Sequence, residues 1–211
     1  MTFLEALAVQ RWDDHRYYHH SRVNQALHLF SALSFLCAYV LIWFDATAAV
    51  FIAWVLSMPS RQIGHFFFEP RDYDEANQAT HEHKEEVKVG YNLRRKVFLM
   101  SAWAGAPLLL LADPTLFGLL PAPSDWRTMA DNVASIWLAI SVTALLGRTL
   151  QLCIIRDVQT GLVWFTKILT DPFHDVMLYH RSPLYLLRGE LFDPIVGHSA
   201  AHAASPAGSA D

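Results

Sequence analysis

An all-α polytopic membrane protein with about four transmembrane helices is the fold this sequence predicts, and three observations carry that prediction. Hydrophobic residues make up 53% of the 211 positions against 17% charged, with a mean hydropathy of +0.21, too apolar a balance for an ordinary water-soluble domain. Apolar runs recur at lengths that suit a hydrocarbon core of roughly 30 Å. Between them lie short turns or densely charged stretches, which leaves N-terminal, central and C-terminal helical segments for the cytosol. A single domain over 1–196 and a disordered tail over 197–211, rich in Ala, Ser, Gly and Pro, account for the length.

Residues 1–24 read as a short amphipathic helix or hook at an interface, with Phe3, Leu4, Leu7, Val9 and Trp12 on its apolar side. Arg11, Arg16 and Arg22 stand there without an apolar h-region, so no cleavable signal peptide is expected. Residues 25–44 form the first span, apolar except for His28 and two serines, and Asp45 ends it. The next run, 46–58, is too short to cross alone, which predicts a helix continuing through Pro59, Arg61 and Gln62 to Phe68. Residues 71–96 are a hydrophilic cytosolic connector, and 97–112 are a third span tolerating Gly105 and Pro107. Asp113-Pro114 opens a loop to Asn132, and 133–155 is the fourth and cleanest span. Residues 167–193 return to mixed composition, with Asp171-Pro172 and Ser182-Pro183 as turn signals.

Four crossings leave both termini and the central connector on one side. Of the 16 Lys and Arg residues only Arg127 falls on the other, so the shared side is the cytoplasm. That implies an inner membrane in a bacterium or the endoplasmic reticulum in a eukaryote. All 11 histidines lie on that side as well. A formal charge of −4 with no basic face argues against a nucleic-acid partner. Cys37 and Cys153 sit in separate apolar runs and form no metal-binding pair.

The chemistry gathers around His65 and Glu69, four residues apart and therefore on one helical face, inside a stretch of Gly64 and Phe66 to Phe68. Imidazoles with a few carboxylates at one membrane face are what an iron or zinc site needs. Candidate ligands are His15, His19, His20, His28, His65, His81 and His174, with Glu69, Glu82, Glu85 and Asp175 as oxygen ligands or acceptors behind them. Taken singly, His15, His81 and His83 read as ordinary exposed histidines. Three or four nitrogens with open positions suit a non-haem ferrous centre, and four closed positions suit structural zinc. On one continuous helix His19 and His28 would face opposite ways, so a break near 21–23 is needed for them to converge.

Tyr18-His19, Asn24 and His28 heading the first span, then Gly64-His65 with Glu69 closing the second, resemble the membrane family of 2-hydroxy fatty acid dioxygenases known from fungal phytosphingosine alpha-oxidation and its bacterial relatives. The resemblance covers residues 17–70. It implies Fe2+ held by His19, His28 and His65, with Glu69 as ligand or base and Asn24 as a hydrogen-bonding support. It also implies a lipid or fatty-acid substrate and O2, the product being one carbon shorter. His81 and His174 remain for a fourth position, with Asp175 orienting His174. Arg22 stands where relatives often carry proline, Pro59-Ser60-Arg61 interrupts a span usually more apolar, and the second half has no counterpart. Arg61 has a planar fork suited to the substrate carboxylate or, equally, to snorkelling at the interface.

Two other classes compete. His15 to His20 has the HxxxHH form of di-iron membrane desaturases and hydroxylases, although no second such box follows. A non-enzymatic scaffold, or a haem-carrying bundle with His28 and His65 as axial ligands, is the third reading.

Overall fold

The computed structural model describes residues 1–69, 73–74, 77–87 and 93–194. It is all-helical, 77% helix, with no strand among the described residues. In order the helices are α1 (Phe3–Tyr18), α2 (Arg22–Leu41), α3 (Ala46–Phe51), α4 (Met58–Phe67), α5 (His81–Val87), α6 (Leu93–Gly105), α7 (Leu109–Ala112), α8 (Trp126–Ile155), α9 (Val158–Tyr179) and α10 (Ser182–Leu187). A π-helical segment, Ile52–Ser57, joins α3 to α4, and a 3-10 turn, Ala106–Leu108, carries Pro107 between α6 and α7. The expected tail, 197–211, lies outside the described residues, as do parts of the central connector.

Among the described residues three helical stretches are long and apolar enough to cross a membrane: Arg22–Leu41, Arg95–Ala112 and Trp126–Ile155. The run after Asp45 does continue as helix to Phe67, but it is not among those three. Ser57, Pro59, Ser60, Arg61 and Gln62 dilute its second half. Two further boundaries differ from expectation. α8 begins at Trp126, capped by the Asp125 carboxylate accepting from the Thr128 amide at 2.8 Å, so the preceding loop ends well before Asn132. Asp171-Pro172 does not turn the chain: Pro172 lies inside α9. The helix carries Lys167, Asp171 and Asp175 across the proline on one buried, ion-paired face.

α1 starts at a capping box, Thr2 with Glu5. It stops at Tyr18, and Ser21 caps α2, so the break falls at 19–21. The C-terminal segment clamps that break. The Arg22 amide donates to the Leu191 carbonyl at 2.9 Å, and the Asp193 amide donates to the His20 carbonyl at 2.8 Å. Below it, α2 meets the π segment and α4 through small side chains, Ser31, Ala32 and Ser57, all fully buried. Small residues let helix backbones approach closely, and the Ser57 hydroxyl donates to the Ser31 carbonyl at 2.7 Å. Farther along, Val50, Trp54 and Ala134 form an apolar cluster with Phe51, Met58, Trp103 and Trp137.

Candidate metal centre

His19 leaves the break between α1 and α2, His28 stands two turns into α2, and His65 comes from the last turn of α4. All three are buried. One donor atom from each lies within 4.8 Å of the other two. The Nε2 atoms of His19 and His28 are 3.2 Å apart. Two nitrogens each about 2.1 Å from a shared ion are separated by about 3.0 to 3.4 Å for angles between square and tetrahedral. The spacing of this pair fits a metal.

What stands behind each ring reinforces this. The Nδ1 of His19 is 2.8 Å from the Asp14 carbonyl, which can only accept, so that nitrogen carries the proton and Nε2 is left with its lone pair. The Nδ1 of His65 is 2.9 Å from Glu69 Oε2, which assigns its proton in the same way. His28 Nδ1 has no hydrogen-bond partner, and Asp175 Oδ2 lies 3.8 Å from it. Arg61 donates to that same oxygen at 2.8 Å and offsets its charge, so the proton of His28 is not assigned by its surroundings. With the Nδ1 protons of His19 and His65 held by these acceptors, both rings keep an Nε2 lone pair, the form in which an imidazole ligates a cation. Burial first, and then the neighbouring His28, hold His19 well below the ordinary histidine range against the opposing pull of Asp14 and Asp175. Neutral imidazole is the ligand form.

Gly64 makes the convergence possible. A Cβ there would lie 2.1 Å from Asn24 Oδ1 and 3.3 Å from His28 Cδ2. Asn24 meanwhile donates through Nδ2 to the Tyr18 carbonyl at 2.8 Å and ties the break to α2.

The other expected site residues fall elsewhere. Glu69 stands behind His65 as its acceptor. His81 is exposed at the start of α5, and His174 is half-buried on α9; neither belongs to the cluster of three. Arg61 does not hold its fork free for a substrate: Nη1 donates to Asp175 Oδ2 at 2.8 Å and Nη2 lies 3.9 Å from Asp171. His15, expected to be exposed, is buried, with Nδ1 3.2 Å from the Tyr179 hydroxyl. His20 instead pairs with Asp74 at 3.3 Å.

A charged layer missing from the sequence reading backs the triad. Lys167 Nζ donates to Asp14 and to Asp171, both at 2.7 Å, and Arg11 reaches Asp171 at 3.3 Å. With Arg61 and Asp175 the cluster holds three cations and three carboxylates in balance. A small cavity lined by Arg11, Asp14, His19, Lys167, Asp175 and Tyr179, among others, reaches His19. Burial, the largest single influence, would raise the Asp14 carboxyl, but Lys167, His19 and Arg61 together outweigh it and hold Asp14 far below the usual carboxylate range. The i,i+4 spacing of Lys167, Asp171 and Asp175 marks one face of α9, and it was the available signal. Their partners on α1 lie more than 150 residues away.

Compared with protein-family models, with curated proteins and with solved structures, the chain gives no match.

Proposed function

We propose that this protein is a membrane-embedded, Fe(II)-dependent dioxygenase that shortens 2-hydroxy fatty acids by one carbon at the cytosolic face of a bilayer. The observation that carries the reading is the convergence of His19, His28 and His65, with Asp14, Asp175 and Glu69 behind them. Three nitrogens rather than four suit a centre that keeps positions open. Among the described residues no second cluster of this kind accompanies it, which favours one iron over a di-iron pair. The His28 and His65 rings, with centroids 4.9 Å apart, are too close for a porphyrin to pass between them. In this reading the helix from Ala46 to Phe67 is the fourth crossing, and both termini and the connector face the cytoplasm.

Bound iron would supply a Lewis-acidic centre for the substrate carboxylate and hydroxyl and a site for O2. The chain's own residues supply the rest. Asp14 and Glu69 fix the direction of two imidazoles, Gly64 and Asn24 hold α2 and α4 close, and burial keeps bulk water from the reacting carbons. The chemistry closes without a further reductant. Cleavage between carbons one and two of the hydroxy acid by O2 yields the shortened acid, CO2 and water. The four electrons leaving those carbons are those O2 accepts.

Metal analysis of anaerobically purified protein, joined to oxygen uptake on 2-hydroxypalmitate, tests the proposal. The expected result is one iron per chain, with one O2 consumed per 15-carbon acid formed. No oxygen consumption with iron restored, across several acyl lengths, would overturn it.

A further inference from the structure

α9 is built inside out. On a helix advancing about 100° per residue, Val158, Leu162, Leu169, Phe173 and Met177 fall within one arc of about 100°, and they are 38% to 69% exposed. Polar members of that arc, Gln159 and His180, stand at its two ends, with the half-buried Thr166 between. The opposite arc carries Lys167, Asp171 and Asp175, all buried and all ion-paired to α1 or α4. A water-facing helix has the reverse polarity. Only Arg156 and Asp157 separate α9 from the end of α8, one of the three helices apolar enough to cross a membrane, whose last turns expose Leu146, Leu150 and Ile154. Wherever α8 leaves the hydrocarbon, α9 therefore starts at the same lipid surface.

We infer that the outward face of α9 is seated in the acyl chains of the bilayer, with its charged face turned into the protein. The inference rests on reading the three apolar helices as membrane crossings. It explains why a helix with three buried charges leaves large apolar side chains uncovered, five of the six in that one arc; the sixth, Ile168, is 41% exposed beyond its edge. It also bears on the proposed substrate: Asp175 on this helix faces His28, so the triad lies about one helix diameter, roughly 10 Å, from lipid. A fatty acid sliding along α9 reaches the site without leaving the membrane.

The test uses the full chain in phosphatidylcholine nanodiscs, on a Cys37→Ser/Cys153→Ser background, with single cysteines at Leu162, Leu169 and Phe173. Val142→Cys on α8 and Glu190→Cys beyond α10 serve as references. A water-soluble maleimide should modify the three α9 positions at least about tenfold more slowly than Glu190→Cys, and no faster than Val142→Cys. Nitroxides there should collide readily with O2 and poorly with a nickel chelate. Fast modification on α9 with a slow Val142→Cys overturns this inference alone. Fast modification at both overturns the membrane reading beneath it. Slow modification with poor access to O2 as well means that protein, such as a second copy of the chain, covers the face, and this too overturns the inference.

Discussion

The Nε2 atoms of His19 and His28 stand 3.2 Å apart, although a single helix running through both residues would point them in opposite directions. The break at 19–21 reverses that geometry, and His65 arrives from α4 to complete the set. If the set binds metal, replacing any one of His19, His28 or His65 with Ala lowers metal affinity by more than the ten- to a hundredfold typical of groups standing behind a ligand. Iron content per purified chain is the measurement, and content equal to the parent in all three variants would refute the centre. His81→Ala and His174→Ala should keep their iron.

Glu69 acts through His65. Glu69→Ala should weaken metal binding by about ten- to a hundredfold, and Glu69→Gln by less, because an amide oxygen still accepts from Nδ1. A competition titration against a chelator reads both. Equal losses in the two variants would show that Glu69 serves as a charge or a direct ligand instead.

Gly64→Ala brings a methyl group to 2.1 Å from Asn24 Oδ1. The expected cost is about 1–3 kcal/mol of stability, the range for an overpacked interior, together with weaker metal binding as α4 moves away from α2. Pairing it with Asn24→Gly should recover part of the thermal midpoint. An unchanged midpoint for Gly64→Ala alone would show that the contact is slack.

The charged layer behind the triad has a pH signature. Asp14 is held far below its unfolded value of about 3.9. A depressed carboxyl contributes stability that is present above the unfolded pKa and lost as pH falls through the folded one. Asp14→Asn should therefore be less stable than the parent at pH 7, with the gap narrowing below about pH 4. The Asp14 side chain keeps 30% exposure, so solvent screening reduces the size of the effect. A gap that stays constant from pH 7 to pH 3 in thermal unfolding would contradict the assignment.

Lys167→Met takes its 2.7 Å ammonium partner from both the part-exposed Asp14 and the buried Asp171, leaving Asp171 with Arg11 at 3.3 Å and Arg61 at 3.9 Å. Removing one partner of a buried network costs about 3–5 kcal/mol. Lys167→Met with Asp14→Asn and Asp171→Asn should recover much of the loss, measured as thermal midpoints in one detergent.

The helical class and the apolar runs were legible in the residues, which left seven histidines as candidates; only the family resemblance singled out His19, His28 and His65 with Asn24 and Glu69. Runs of apolar side chains and i,i+4 spacing are local properties, and a linear chain records them directly. The pairing of Glu69 with His65 needed nothing beyond one turn of helix. The contacts that depend on distant segments were not legible. Arg61 looked free until α9 brought Asp171 and Asp175 to it; His15 looked exposed until Tyr179 covered it; and Asp171-Pro172 looked like a turn until Lys167 and Asp14 showed what the helix gains by continuing. Sequence by itself determined which side chains carry imidazoles and carboxylates and roughly where helices run. Tertiary structure alone decided which imidazoles share a point and which charges neutralise one another, because both depend on how helices far apart in the chain lie against each other.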